Sequence, residues 1–359
     1  MDFNSVSEKI SRHFIEKLPF VIYSLLESNS IQALFQKNNT LHTVKELNES
    51  GFVLAPFEYQ NSAYFIPENE SESIQIDFIK EDFKLSSVTV SEDIIVENDY
   101  IKLLNKTIET IENGEASKIV ISHLKDFQLQ NFSIEKLLKR LFLAYPTAFR
   151  YIWFHPKTGL WCGASPEILV KTENNSFKTM ALAGTKPYSN DEATTWRPKE
   201  KDEQKQVTDM IVGKLKSVSS TLNVSDTYTH KAGSLLHIRT DITGKLNSET
   251  TLTAITEALH PTPAVCGNPQ QFAQNFILKN EGYAREFYTG FLGPINQTES
   301  SATLMVNLRC MKIEQNKARI FVGGGITKDS NPKEEWLETQ NKMQTMLQVL
   351  QPMLFYEDF

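Results

Sequence analysis

From Lys118 onward, short strand-forming segments come in groups broken by helices, without the strand-then-helix alternation of a parallel α/β sheet. That grouping confines the chain to α+β architectures in which large antiparallel sheets stack as layers. KIVISHL, Lys118 to Leu124, has the β-branched content of a strand and follows an amphipathic helix expected from Asn98 to Glu112, stopped by Asn113-Gly114. Ser133 to Tyr145 reads as another helix. Phe149 to Phe154, Leu160 to Ala164, Ile168 to Thr172 and Phe177 to Ala183 read as strands of one meander, separated by PKTG and ENNS turn signals. After a helix from Lys199 to Val218, strands are expected at Leu236 to Ile242, Glu286 to Phe291, Ala302 to Ile313 and Ala318 to Gly323, with helices at Thr251 to Leu259 and Pro269 to Leu278. Earlier patterning is weak, apart from a helix expected from Ile15 to Leu26. Residues 1–97 are therefore expected to form an accessory portion of the fold, and 98–359 to carry the chemistry.

The run FVGGGITKDSNPKEEWLETQNK, Phe321 to Lys342, looks like a turn for an anion followed by a helix for a metal. Three glycines, Gly323 to Gly325, let a backbone approach a ligand because no Cβ stands in the way. Asn331 can cap the helix, and Pro332 suits its first position. Glu335, Glu338 and Lys342 then project from one helical face, where two carboxylates suit a divalent cation and the ammonium an anionic substrate. The same spacing also suits a solvated face with one ion pair.

Composition narrows the alternatives. The chain has 359 residues, enough for a large core, and a formal net charge of −7, which argues against nucleic acid as partner. It contains no apolar run of membrane-spanning length, and MDFNSVSEKI lacks the apolar stretch of a signal peptide, so a soluble cytoplasmic protein is expected. Cys162, Cys266 and Cys310 are odd in number and widely spaced, as suits buried reduced thiols, and no zinc-type spacing occurs.

Singly, the polar residues of the central region stay ambiguous: Lys118 suits a solvated strand end, Glu167 a turn, His237 a core histidine. Their order is more telling. KIVIS (118–122), GASPE (163–167), LAGT (182–185), KDEQ (201–204), HIRTDITG (237–244), LHPTPAVCG (259–267), REFYTGFLG (285–293), NLRC (307–310) and the terminal GGGI with EWLET together resemble the chorismate-binding enzymes. That family contains isochorismate synthases, salicylate synthases and the large subunits of anthranilate and aminodeoxychorismate synthases. The resemblance covers about residues 100–350 and implies a sandwich of two large antiparallel sheets with helices outside, a Mg2+ cofactor and chorismate, a dicarboxylate, as substrate.

By that resemblance Lys118 activates water and Glu167 is the general acid. A base and an acid on opposite sides of the ring need pKa values pushed in opposite directions. Glu203 and Glu338 match the metal ligands, with Glu335 in the inner or outer sphere. Arg309, the Gly323 amide region and Lys342 match carboxylate binding. His237 matches a position beside the ring hydroxyl or carboxylate, while Gly184, Thr185, Ala264 and Gly267 shape the pocket. Two positions bear on the branch. Ammonia-using members usually have glutamine at the place of Lys118, and aminodeoxychorismate synthases commonly have a lysine at the place of Ala183. Thr240 is similar to the isochorismate synthase form, where salicylate synthases tend to serine. Gln204 and His123 depart from the family's usual histidine and arginine. The expectation is an isochorismate synthase acting as a monomer without an obligate protein partner, with salicylate synthase and a glutaminase-partnered or silent binding subunit as the alternatives. Its product would enter menaquinone or siderophore biosynthesis.

Overall fold

The computed structural model of the chain describes residues 2–60, 62–77, 83–89, 93–188, 195–232 and 235–355. In chain order its elements are α1 (Phe3–Ile15), β1 (Phe20–Ser24), β2 (Ser30–Gln36), β3 (His42–Val44), β4 (Gly51–Ala55), β5 (Ala63–Pro67), β6 (Ser71–Asp77), α2 (Ile94–Glu112), β7 (Lys118–Gln128), α3 (Ile134–Ala144), β8 (Phe149–His155), β9 (Gly159–Ser165), β10 (Ile168–Glu173) and β11 (Ser176–Pro187). There follow α4 (Pro198–Leu215), β12 (Ser219–Val224), β13 (Tyr228–Ala232), β14 (Leu235–Leu246), α5 (Leu252–Leu259), β15 (Gly267–Asn268), α6 (Gln270–Asn280), β16 (Phe291–Asn296), β17 (Ser301–Val306), β18 (Cys310–Glu314), β19 (Lys317–Ile326) and α7 (Pro332–Leu350).

The strands build two antiparallel sheets. One runs β15-β7-β19-β18-β9-β8-β1-β2-β6, the other β12-β14-β11-β10-β17-β16-β4-β5-β3 with β13 added on β14. Strands such as FVIYS (β1) and FRYIWFH (β8) are buried along their whole length, because each has an apolar layer on both faces. In β8, Tyr151 and Trp153 point between the sheets towards Phe52 and Leu292, while Ile152 and Phe154 point outward to Leu138, Phe142 and Leu347 of the covering helices α3 and α7. The second sheet is covered by Val207, Ile211 and Leu215 of α4 and Ile255 and Leu259 of α5. The antiparallel layered fold is thus as the sequence leads one to expect. Strands β1, β2 and β6 lie in the first sheet and β3 to β5 in the second, so residues before 98 contribute to both.

Several local expectations are corrected. The helix expected from Ile15 to Leu26 is instead the end of α1, a reversal at Lys17 (φ 55°) and strand β1. The β-branched and aromatic FVIYS gains more as a strand buried on both faces than as a helix with one apolar stripe. The four-strand meander is split: β8 and β9 pair in one sheet, β10 and β11 in the other, with the change of sheet at Ser165-Pro166-Glu167. Ala302 to Ile313 is likewise two strands in different sheets, broken at Asn307-Leu308-Arg309, where Arg309 has φ 47°. Residues 286–290 form turns rather than a strand, with Glu286 and Thr289 at positive φ. The triple glycine is not a turn: Gly323, Gly324 and Gly325 lie in β19 opposite Ser122, Ile121 and Val120. The chain turns after them, where the Thr327 amide donates to Ser330 Oγ.

Candidate active site

The two changes of sheet lie side by side and brace each other. Ser165 Oγ donates to Val306 O at 2.5 Å, Val306 N to Glu167 O at 3.0 Å and Ala164 N to Arg309 O at 3.0 Å. Tyr151 Oη and Phe287 O hold the buried Asn307 amide between them, at 2.8 Å each. A strand leaving a sheet would bury unpaired backbone groups, and this mutual bonding satisfies them. It also aims Glu167 and Arg309 into a cavity of about 430 Å3 between the layers.

That cavity is lined by Lys118, Glu167, Gly184, Glu203, His237, Ala264, Arg309, Gly323, Glu335, Glu338 and Lys342, residues from eight separate stretches of chain. Of the other residues read from sequence, Gly267 lies behind this wall, packed on the Lys118 carbonyl and Ala273. Thr185 pairs in the sheet with His237, and its side chain lies outside the described residues.

Lys118, first residue of β7, is 5 % exposed, which removes the solvated strand end as an explanation. Its Nζ donates to Glu203 Oε1, on helix α4, at 2.7 Å. A glycine at 325 makes room for both: a Cβ there would stand 2.6 Å from Lys118 Cε and 3.3 Å from Glu203 Oε1. Glu167 is buried, and burial pushes its carboxyl up to about 7, while the Lys118 charge and the Thr262 hydroxyl pull the other way. The Thr262 hydroxyl lies near that carboxyl but outside hydrogen-bond geometry. His237 reaches the cavity from β14. Gly184 breaks the facing strand β11 with φ 69° and a register shift, and its carbonyl accepts a 3.0 Å hydrogen bond from His237 Nδ1. Burial first, then the Arg309 charge, holds the imidazole down at about 3, so it is neutral with its lone pair on Nε2.

Helix α7 starts as read: the Asn331 side chain accepts from the Lys333 and Glu334 amides, with Pro332 at the first position. Lys342 Nζ bonds Glu338 at 2.5 Å and Gly323 O at 2.8 Å. Burial raises the Glu338 carboxyl, but the Lys342 and Arg309 charges outweigh this and keep it below the usual range. Arg309 donates to Thr345 Oγ1 at 3.1 Å. The described lining of the cavity holds four cationic side chains, Lys118, Arg197, Arg309 and Lys342, set among six glutamates.

Three carboxylates face the glycine strand. Glu335 Oε2 and Glu338 Oε1 lie 3.1 and 4.0 Å from where a Cβ of Gly324 would stand, and Glu203 lies over Gly325. Among the described residues no three acidic, histidine or cysteine side chains converge into a ready cage. A Mg2+ ion does not need one, since it keeps several waters and takes one or two carboxylates plus substrate oxygens. The donor set, all carboxylate oxygen, fits that hard cation.

Sequence reasoning assigned no part in the site to Tyr288, Thr289, Arg197, Glu200, Glu334 or Asn341, which also line the cavity. Tyr288 and Thr289 lie in the REFYTG motif, and Glu334 and Asn341 continue the helical spacing of Glu338, so both signals were present. At the start of α4, Glu200 Oε2 accepts from the Arg197 amide and Glu200 Oε1 from Arg197 Nε, at 2.8 Å each.

Comparison with known proteins bears on the family of the chain. The chorismate binding enzyme family matches residues 57–351. Isochorismate synthase EntC of Escherichia coli K12 is 32 % identical over 246 residues, 66 % of this chain and 62 % of EntC. The chain thus matches less than two thirds of that relative's length. Isochorismate synthase DhbC of Bacillus subtilis is 31 % identical over 273 residues, 70 % of this chain and 67 % of DhbC. The crystal structure of DhbC from Bacillus anthracis superposes with a TM-score of 0.80 at 26 % identity, covering 96 % of this chain and 99 % of that one. Similarity extends to anthranilate synthase component 1 of Thermococcus kodakarensis, 27 % identical over 313 residues, 82 % of this chain and 69 % of that protein. With its two-sheet sandwich and its cavity of ordered motifs, the chain belongs to the chorismate-binding enzyme family.

Proposed function

We propose that the protein is a Mg2+-dependent isochorismate synthase that converts chorismate to isochorismate. The observation that carries this reading is the pairing, in one cavity, of a lysine with a buried carboxyl raised to about 7. Lys118 takes a proton from a water that attacks C2 of the ring. Glu167 gives a proton to the C4 hydroxyl, which leaves as water while the ring double bond shifts. One water is consumed and one released, so the reaction is an isomerisation. In the structure described here Lys118 is a donor to Glu203, so it serves as base only once its nitrogen parts from that carboxylate. Glu167 must hold its proton near neutrality, and its burial supplies that. Arg309 and Lys342 attract the substrate carboxylates, and neutral His237 offers Nε2 to a ring hydroxyl. Glu203 and Glu338, with Glu335 beside them, would hold Mg2+, which when bound polarises a substrate carboxylate. The reading includes a monomer that needs no ammonia-supplying partner.

The test is incubation of purified protein with chorismate and Mg2+, without a nitrogen source, followed by chromatographic identification of products. Isochorismate alone is expected. Salicylate with equimolar pyruvate would make the protein a lyase, and turnover only with ammonia or glutamine would make it a partnered subunit.

A further inference from the structure

We infer that Arg285, in its buried pair with Glu281, is a positioning residue that holds three separate stretches of the cavity wall in register; this rests on the reading of the site given above. Arg285 does not line the cavity and is 2 % exposed. All five of its N–H groups are used. Nε donates to Glu281 Oε2 at 2.8 Å, and Nη2 to Glu281 Oε1 at 2.5 Å and to Val120 O at 2.8 Å. Nη1 donates to Val265 O at 2.9 Å and Thr289 Oγ1 at 3.2 Å. Val120, Val265 and Thr289 all line the cavity, and they come from β7, the loop after α5 and the turn before β16.

Glu281 adds a second grip on β7. Its Oε1 accepts from Ser122 N at 2.7 Å and from Ser122 Oγ at 2.9 Å. The pair thus fixes the strand two and four residues beyond Lys118. Thr289 is held at φ 61°, a conformation costly for a β-branched residue, which persists only where its surroundings enforce it. Phe57 packs over the guanidinium with its ring centre at 4.6 Å. A buried ion pair is a poor source of stability, since apolar side chains of the same volume often do as well. What apolar side chains cannot do is tie the carbonyls of separate segments to one planar group. That requirement accounts for the pair, and it concerns the placement of the wall.

Arg285→Lys tests this. The charge stays against Glu281, but one ammonium cannot reach both carbonyls and the Thr289 hydroxyl together. The expected result is a kcat/KM for chorismate lowered about tenfold or more, with kcat reduced as well because the strand that carries Lys118 loses part of its hold. Hydrogen exchange is expected to rise in peptides spanning 118–124 and 262–267 and to stay unchanged across 149–165. Unchanged kcat/KM in folded Arg285→Lys, or exchange unchanged in those two peptides, would overturn the inference. If the native protein itself leaves chorismate unchanged, the functional reading fails, and the exchange pattern still decides whether Arg285 positions the wall. Glu281→Gln, which keeps an acceptor for Ser122, is read in the same way should Arg285→Lys not fold. Failure of both to fold would assign the pair to stability alone and reject the positioning role.

Discussion

Gly325→Ala should separate activity from stability. Gly325 has no positive φ, so the backbone accepts alanine, and alanine in a strand interior is favoured over glycine by roughly 0.5–1 kcal/mol. The difficulty is local: the new Cβ would stand 2.6 Å from Lys118 Cε and 3.0 Å from Nζ, where ordinary contact begins at 3.4 Å. The end of the lysine must therefore retreat by about 1 Å, which a flexible side chain does cheaply. Misplacing a reacting group by that distance costs on the order of 100-fold in rate. The expected outcome is a melting temperature equal to or above that of the native protein, with kcat for isochorismate formation down about 100-fold. Gly323→Ala is the control. Its Cβ would meet Ile121 O at 2.6 Å and Ser122 Cα at 3.0 Å, backbone atoms of the paired strand that cannot step aside. That variant should lose stability, on the order of 1–3 kcal/mol, as overpacked sites do. Thermal melts by circular dichroism and initial rates by product chromatography read both effects. Near-native turnover in a stable Gly325→Ala protein would refute the argument that this glycine exists to seat Lys118.

A general acid works only while protonated, so with Glu167 raised to about 7, kcat should fall as pH rises through that value, and Glu167→Gln should be slow at every pH; a rate flat from pH 6 to 8.5 would remove Glu167 from the role. Burial holds His123 down at about 4, below its value of about 6.5 in the unfolded chain, so the unfolded state binds the extra proton and stability is lost as pH falls from about 6.5 towards 4. His123→Phe, in an aromatic site beside Tyr100 and Trp336, should flatten that loss, and urea melts at pH 5 and 7 give the comparison. Glu338→Gln should shift the Mg2+ titration of activity to higher concentration by tenfold or more; an unchanged titration midpoint would exclude it as a ligand.

Much of the site is legible in the chain because its parts sit in short motifs whose chemistry is local. The carboxylates of α7 share a face by helical spacing, and Asn331 and Pro332 announce where that helix begins. The changes of sheet were not legible. Strands 160–164 and 168–172 resemble a hairpin, and only pairing with β18 and β17 from far along the chain assigns them to different sheets. Gly323 to Gly325 were misread for a related reason. Glycine advertises conformational freedom, whereas here it answers a need for space, created at Gly323 and Gly325 by residues more than a hundred positions away. The same holds for Arg285, whose partners lie on both sides of it in sequence and meet only in the folded core.

The bends at 165–167 and 307–309 place Glu167 and Arg309 on the seam between the sheets, with Lys118 on the nine-stranded layer and His237 on the ten-stranded one. On the proposed reading, the gap in which the ring would sit is therefore bounded by both layers. Between the layers, Trp161 stacks on Phe321 at 5.4 Å and Phe321 on Tyr288 at 5.5 Å, and the last two of these rings also floor the cavity. The sandwich acts as a caliper whose jaws are the two sheets and whose shim is that column of rings. Neither layer alone possesses the gap, so on the proposed reading catalytic spacing belongs to the assembled stack, and rings between the layers that do not line the cavity, such as Trp161, help to calibrate it.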